Sequence, residues 1–309
     1  MSDLSDVIRV GSKGSPAAGS KAALPAAEAV PFCEGARALP VRGVRGGQVF
    51  ETQDWVAEEV PIALEYNGIS HAVMLATPLD LEDFALGFSM TEGILDDPHQ
   101  LYSVEEEPSS LGITLHLQVA SEAFARLKLR RRSMTGRTGC GLCGTESLVQ
   151  VTRVLPPLRN DAAPVAAEAI GRAMSQFRAL QTLQQSTGAV HAAGWCSAEG
   201  EVLWLREDVG RHNALDKLIG ALAANEVDAP SGFIAVTSRA SFEMVQKAAS
   251  AGVSLLAAVS APTSFAVATA QQAGMTLVGF ARQQDLVVYS HAGRVAFGKS
   301  TAHEVRHAH

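Results

Sequence analysis

Short apolar runs alternate with helical patterns through the last third of the chain. Four apolar runs occupy residues 233–236, 253–259, 275–280 and 286–289. Helical spacing of apolar residues fills 241–251, where Ser241 is a candidate N-cap, and 264–273. Continuous apolar strands joined by helices are typical of a sheet covered on both faces and at least partly parallel. This region is therefore predicted to be α/β.

An Asn67-Gly68 dipeptide separates two alternating apolar segments nearer the N-terminus, which is a strong hairpin signal. A helical pattern follows Asp80, a candidate N-cap, and ends before Gly93. Residues 111–119 alternate as a half-buried strand does. These patterns predict a small α+β subdomain over residues 39–135.

The remaining segments complete the predicted organisation. Residues 1–38 are rich in Ala, Gly, Ser and Pro and are predicted to be disordered, and residues 299–309 are predicted to be a flexible tail. One long amphipathic helix is predicted over 166–186, with Gly188 as its C-cap. The main α/β domain is placed at 136–298.

Composition and charge narrow the class of protein. The 309 residues are 47% hydrophobic, which is typical of a globular chain with a sizeable core. A net charge of −7 argues against general binding to nucleic acid or to a membrane surface. Four cysteines are too few for a disulfide scaffold, and no apolar run is long enough to span a membrane. A cytoplasmic location is expected.

The most reactive feature is a Cys-x-x-Cys pair, Cys140 and Cys143, set among glycines. Gly136, Gly139, Gly141 and Gly144 would leave the sulfurs uncovered. Nearby arginines, including Arg137, favour the thiolate over the thiol. The spacing alone leaves three interpretations open, namely a persulfide carrier, a metal site and a redox pair.

A zinc site would need further ligands, which His191, Cys196 and His212 could supply. Zinc deaminases place a His-x-Glu segment before a Pro-Cys-x-x-Cys segment. Here the sequence after His191 lacks that Glu, and the Cys pair precedes the His. Both differences weaken the zinc interpretation, and Cys196, beside Trp195, is predicted to be a buried, inert thiol.

An anionic ligand is expected beyond the carboxyl ends of the predicted strands, where ligands of α/β sheets collect. Three polar segments follow those strands, at 237–241, 260–264 and 280–285. Two of them open helices, whose free N–H groups attract phosphate. Candidate ligand residues are Ser238, Arg239, Ser241, Phe280, Ala281, Arg282, Gln283, Gln284 and Asp285.

A second polar cluster runs from Glu207 to Asn213, with Asp208 or Gly210 at a predicted helix start. Glu, Asp, Arg and His together could hold a ligand or relay a proton. A salt-bridged helix cap is the alternative interpretation.

Several ordered motifs make the chain resemble the FdhD family of formate dehydrogenase accessory sulfurtransferases, from about residue 42 to residue 295. The matching stretches are 58–64, 66–71, 83–88, 136–144, 191–193, 207–212, 238–247 and 277–280. One departure lies at 281–285, where some relatives have Lys, Pro and Gly and this chain has Ala-Arg-Gln-Gln-Asp.

The resemblance implies a function and a set of partners. Proteins of this family take persulfide sulfur from a cysteine desulfurase and pass it to the Mo-bis(molybdopterin guanine dinucleotide) cofactor of formate dehydrogenase. By resemblance, Cys140 carries the persulfide, Cys143 assists, and residues 280–285 bind the guanine dinucleotide. The family also implies a homodimer and a C-terminal domain similar to cytidine deaminase, with no tightly held metal. A non-catalytic, cofactor-binding chaperone is the alternative function.

Overall fold

The computed structural model describes residues 33–135, residue 158 and residues 163–298. Its seven labelled helices are α1 (Leu81–Thr91), α2 (Ser121–Thr135), α3 (Ala167–Leu180), α4 (Thr182–Thr187), α5 (Arg211–Ala224), α6 (Phe242–Ser250) and α7 (Ser264–Ala273). None of the helices in these described ranges is long and apolar enough to cross a membrane.

Fourteen strands are described alongside them. The first six are β1 (Ala36–Arg45), β2 (Gln48–Ala57), β3 (Val60–Tyr66), β4 (Ile69–Ala76), β5 (Leu101–Ser109) and β6 (Gly112–Val119). The others are β7 (Val165–Ala166), β8 (His191–Cys196), β9 (Val202–Asp208), β10 (Phe233–Val236), β11 (Leu255–Ala258), β12 (Thr276–Arg282), β13 (Asp285–Ser290) and β14 (Val295–Ala296).

The larger sheet has six strands in the order β13-β12-β11-β10-β8-β9. The central strands β10, β11 and β12 are parallel, and β8, β9 and β13 each pair antiparallel with their neighbours. Alternate residues of β10 enter two different cores: Ile234 and Val236 pack with residues of α5, α6 and α7, whereas Phe233 and Ala235 pack with α3. The prediction of a partly parallel sheet covered on both faces is confirmed.

The smaller sheet has four strands in the order β4-β3-β6-β5, and its buried face packs on α1. Asn67 and Gly68 turn the β3–β4 hairpin with φ values of 46° and 79°, as the sequence predicts. At the core, the Tyr66 hydroxyl lies 2.8 Å from the Ser89 hydroxyl of α1. The predicted α+β arrangement of this region is therefore present.

The two sheets are joined by close packing of α1 on α5. A Cβ added to Gly87 would collide with the carbonyl of Asp216, and one added to Gly220 would collide with the carbonyl of Asp83. These two glycines let the helix backbones approach more closely than any side chain would allow.

Two sequence predictions need correction. Strand β1 begins at Ala36, inside the segment predicted to be disordered, and pairs with β2 through a Gly46-Gly47 turn. The single helix predicted over 166–186 is two helices, because Gln181 leaves the helical conformation at ψ 80°. Asp80 is the N-cap residue of α1, as predicted, although its side chain makes no capping hydrogen bond. Its carboxylate lies 3.5 Å from Nε of Arg206 instead.

Candidate functional site at the carboxyl edge of the large sheet

The three predicted ligand segments meet at one edge of the large sheet. Backbone hydrogen bonds join them in pairs: Val259 N donates to Val236 O (3.1 Å), and Thr263 N donates to Ala240 O (3.0 Å). The Arg282 Nε donates to Val259 O at 3.1 Å. The segments at 237–241, 260–264 and 280–285 therefore form one continuous rim.

A pocket of about 590 Å³ opens beside this rim. Thr237 and Val259, the first residues after β10 and β11, form its floor, and α3 and α4 supply the remaining walls. Its lining combines apolar side chains with amides and a cation, namely Met174, Phe177, Arg178, Gln181, Gln184 and Gln185. Such a mixture suits a ligand that has a flat apolar part and polar edges.

The segment at 280–285 is less of a loop than the sequence suggests. Phe280, Ala281 and Arg282 extend β12, and only Gln283 and Gln284 turn the chain into β13. Phe280 and Gln283 adopt positive φ values of 52° and 51°. Positive φ is uncommon in non-glycine residues and occurs both in turns and at ligand-binding sites.

The candidate residues of this segment are not equally exposed to solvent. The side chains of Phe280, Arg282, Gln283, Gln284 and Asp285 are exposed. Ala281 is instead buried in the core that lies against α3. Asp285 pairs with Arg282 in the strand register.

The three candidate ligand residues that follow β10 differ in burial and in their hydrogen bonds. Arg239 is exposed at the rim. Ser238 is buried, and its hydroxyl donates to the Arg239 carbonyl at 3.0 Å. Ser241 is the N-cap residue of α6, as predicted, but its hydroxyl does not bond to that helix.

The Glu207–Asn213 cluster reaches the same edge because β9 pairs with β8. Asp208 is fully buried, with its Oδ2 2.7 Å from Nζ of the equally buried Lys217. The same carboxylate accepts from Thr77 N, Gly210 N and the Asn213 amide. This network fixes the turn that begins α5 at Gly210, and so fixes where Arg211 and His212 emerge.

His212 faces α6. Its Nε2 lies 2.8 Å from Oε2 of Glu243, although the direction of the ring nitrogen does not give a hydrogen bond. Burial, assisted by the charges of Arg211 and Lys247 and opposed by Glu243, lowers the pKa of His212 to about 4. Burial and the charge of Arg211 also lower the pKa of His191. Both imidazoles are therefore neutral at pH 7.

Two of the ligands considered for a zinc site, His191 and Cys196, are not brought together. His191 and Cys196 stand at opposite ends of β8, about 16 Å apart at ~3.3 Å per strand residue. Burial raises the pKa of the Cys196 thiol to about 12, in agreement with the prediction of an inert thiol. Among the residues that the structure describes, no group of three or more His, Cys, Asp or Glu side chains is placed to hold a metal ion. Cys140 and Cys143 lie outside the described residues.

Sequence reasoning missed the pocket wall made by Gln181, Gln184 and Gln185. Glutamines on a short amphipathic helix look like ordinary surface residues, so no local signal marks them. It also missed Glu207 as the group that orders this wall: its carboxylate accepts from Leu183 N and Gln184 N, both at 2.9 Å. Burial raises the pKa of that carboxyl group.

Comparison with known proteins identifies the family. The sequence model of the FdhD/NarQ family matches residues 57–296. The chain belongs to the FdhD/NarQ family. Its FdhD relatives include the sulfur carrier protein FdhD of Variovorax paradoxus, 66% identical over 84% of this chain and 93% of the relative. The sulfur carrier protein FdhD of Cupriavidus necator is 57% identical over 84% of this chain and 89% of the relative.

A solved structure shares the fold. A crystal structure from Desulfotalea psychrophila, described as a formate dehydrogenase accessory protein, covers 84% of this chain and 99% of its own chain with a TM-score of 0.66. The sequence identity is 22%, so this likeness concerns the fold alone.

Proposed function

We propose that this chain is a sulfurtransferase that serves formate dehydrogenase. It takes the terminal sulfur of a cysteine desulfurase persulfide onto Cys140 and delivers it to the Mo-bis(molybdopterin guanine dinucleotide) cofactor, its bound substrate. The observation that carries the proposal is the 66% identity to a sulfur carrier protein FdhD, which extends over 84% of the chain. The resemblance also supports a homodimer and a cytidine deaminase-like fold for the large sheet and its helices.

In the first step, one sulfur atom passes from the donor cysteine to Cys140. The Cys140 thiolate attacks the terminal sulfur of the donor persulfide, and the donor sulfur–sulfur bond breaks. The donor cysteine leaves as a thiolate and takes up a proton from solvent. Arg137 and the arginines before it stabilise the attacking thiolate by charge. Cys143 assists and is not the main carrier.

The rim and pocket support the binding half of the function. A guanine base is flat and carries polar edges, which suits the glutamines and apolar side chains that line the pocket. Arg239 and Arg282 stand at the rim, where they would attract the anionic cofactor. The residues proposed to contact it are Ser238, Arg239, Ser241, Phe280, Arg282, Gln283, Gln284 and Asp285, with Ala281 supporting them from the core.

Mass spectrometry of the full chain after incubation with a cysteine desulfurase and cysteine tests the sulfur-carrying role. A gain of one sulfur atom is expected on Cys140, is lost in Cys140→Ala, and persists in the control Cys33→Ala. A gain confined to Cys143 would overturn the assignment of the carrier.

A cellular assay separates the sulfurtransferase from the non-catalytic cofactor chaperone. In cells that lack the native gene, Cys140→Ala is expected to yield inactive formate dehydrogenase at normal protein abundance. Active dehydrogenase from that variant would favour the chaperone.

A further inference from the structure

The smaller sheet has a second face, opposite the one that packs on α1. Residues that pair in neighbouring strands point to the same face, so the strand register defines its rows. One row of this open face crosses all four strands through Val73, Ala63, Thr114 and Glu107. Leu115, the next residue of β6, belongs instead to the core with α1. The row begins on an apolar side chain at one edge of the sheet and ends on a carboxylate at the other.

The β4 half of the open face is apolar. Val73 and Leu75 are two residues apart in this edge strand, so they share the face, and they are 62% and 55% exposed. Leu75 pairs with Pro61 of β3. The solvated face of an antiparallel sheet usually carries polar side chains, and this half departs from that pattern. It therefore favours an apolar contact.

The β5 half of the open face is acidic. Oε1 of Glu65 lies 3.1 Å from Nδ1 of His116, and Oε2 of Glu107 lies 2.7 Å from Nε2 of the same ring. Glu105 pairs with His116 in the register and has no ion-pair partner among the described side chains. The hydrogen bond with Glu107 raises the pKa of His116, opposed by desolvation and assisted by Glu65. This half therefore favours a cation.

The acidic charge extends well beyond these three carboxylates. Residues 46–125 contain 15 Asp and Glu residues and no Lys or Arg, although the net charge of the whole chain is only −7. Such a surface repels nucleic acid and anionic membranes and attracts cationic protein surfaces. The partner that fits the open face is thus a protein segment that is cationic on one side and apolar on the other.

We propose that the open face binds a basic amphipathic helix of a partner protein. The apolar side of the helix covers Val73 and Leu75, and its Lys and Arg side chains reach Glu105 and Glu107. Four strands about 4.8 Å apart span about 14 Å, which accommodates one helix about 10–12 Å across. A helix laid on a sheet face is a common way to cover apolar residues of that face. This inference does not depend on the sulfur-carrying role.

Fluorescence anisotropy of the full chain with two labelled amphipathic helical peptides tests the proposal. One peptide is built from Leu and Lys and the other from Leu and Glu, and only the Lys peptide is expected to bind. Glu105→Gln/Glu107→Gln is expected to weaken it at least about fivefold, because two attractive charges are lost. Val73→Ser/Leu75→Ser is expected to weaken it by a similar factor.

The matched control is Glu199→Gln/Glu201→Gln, which makes the same change of charge at exposed residues between β8 and β9. It is expected to bind the Lys peptide as the wild type does. Equal weakening by this control would show that only the net charge matters and would overturn the site. Equal binding of the Glu peptide would refute the charge preference.

Sedimentation of the full chain without peptide distinguishes another occupant. If the protein forms an oligomer that Val73→Ser/Leu75→Ser dissociates, a second copy covers the open face and the proposal is wrong. An unchanged association state in this variant is the expected result.

The imidazole of His116 reports on the open face without any change to the face. In the wild-type protein labelled with ¹⁵N-histidine, saturating Lys peptide is expected to lower the pKa of His116, because cations beside Glu107 disfavour the protonated ring. The spectrum of His116→Gln assigns the resonance. An unchanged titration of His116 at saturating peptide would refute the contact.

Discussion

Charged side chains at the junction of the two sheets are buried in pairs. Lys217 lies 2.7 Å from Asp208, and Lys247 lies 2.9 Å from Asp216. Burial opposes the charge on Lys247, but Asp216 and Glu92 outweigh it, so its pKa is raised. Removing one member of such a pair leaves an uncompensated buried charge, which is far more costly than losing an exposed pair. These pairs connect α5 with the end of β9 and with α6.

The low pKa of His212 predicts a specific loss of stability in acid. Its folded pKa is about 4, below its usual 6.5, because burial disfavours the charged ring. Above pH 6.5 neither state binds the proton, so the full stability is present. Between pH 6.5 and pH 4 the unfolded state binds a proton that the folded state rejects, which costs up to about 3 kcal/mol.

Urea unfolding of the wild type and His212→Gln at pH 7, 5.5 and 4.5 measures this loss. The free energy of unfolding is expected to fall more steeply with acid in the wild type than in the variant. Parallel curves for the two proteins would rule out His212 as a source of the acid sensitivity.

At the scale of elements, the sequence predicts helices and turns correctly where the signal comes from neighbouring residues. The Asn67-Gly68 hairpin and helix α7 follow from turn residues and apolar spacing, and α5 begins after Gly210, one of the two positions predicted for its start. The break at Gln181 was not predictable, because Glu207 from a distant strand caps the second helix. The pocket wall depends on that same contact, so it too was hidden from the sequence.

The β1–β2 hairpin was missed for a different reason. Its Gly46-Gly47 turn is a recognised hairpin signal, but the preceding residues have the composition of a disordered segment. Composition was therefore a poorer guide than the turn.

The crossing of α1 and α5 predicts a strong intolerance of side chains at two glycines. Gly87→Ala and Gly220→Ala are each expected to destabilise the protein by about 3 kcal/mol, because the added methyl group meets a backbone carbonyl. Gly293→Ala is the matched control, since nothing lies within 4 Å of its added Cβ. Thermal and urea unfolding measure the effect. A near-neutral Gly87→Ala would show that the helices can separate without cost.

At the scale of the whole molecule, the packed helices α1 and α5 connect the two sheets. The smaller sheet packs on α1, α1 packs on α5, and α5 covers the larger sheet. By contrast, every residue of the β1–β2 hairpin is at least partly exposed. An isolated two-stranded hairpin is only marginally stable in water.

The free energy of hydrogen exchange is expected to differ between the two joined cores and the exposed β1–β2 hairpin. Amides of β6 and β10 should exchange only through global unfolding, with the same free energy, because the two cores are joined through α1 and α5. Amides of β1 and β2 should exchange at much lower free energy. Mass spectrometry of exchanged peptides measures both. Separate free energies for β6 and β10 would show that the sheets unfold independently.

The backbone of Thr77, at the end of β4, donates to Asp208, and its carbonyl accepts from Lys217. A fragment made only of the larger sheet and its helices would lack these partners. The buried Lys217 would then lose the backbone carbonyl to which it donates. The rim that carries the candidate ligand residues therefore depends on contacts with the smaller sheet. Attempts to isolate it for biochemistry or engineering will need to carry the smaller sheet along.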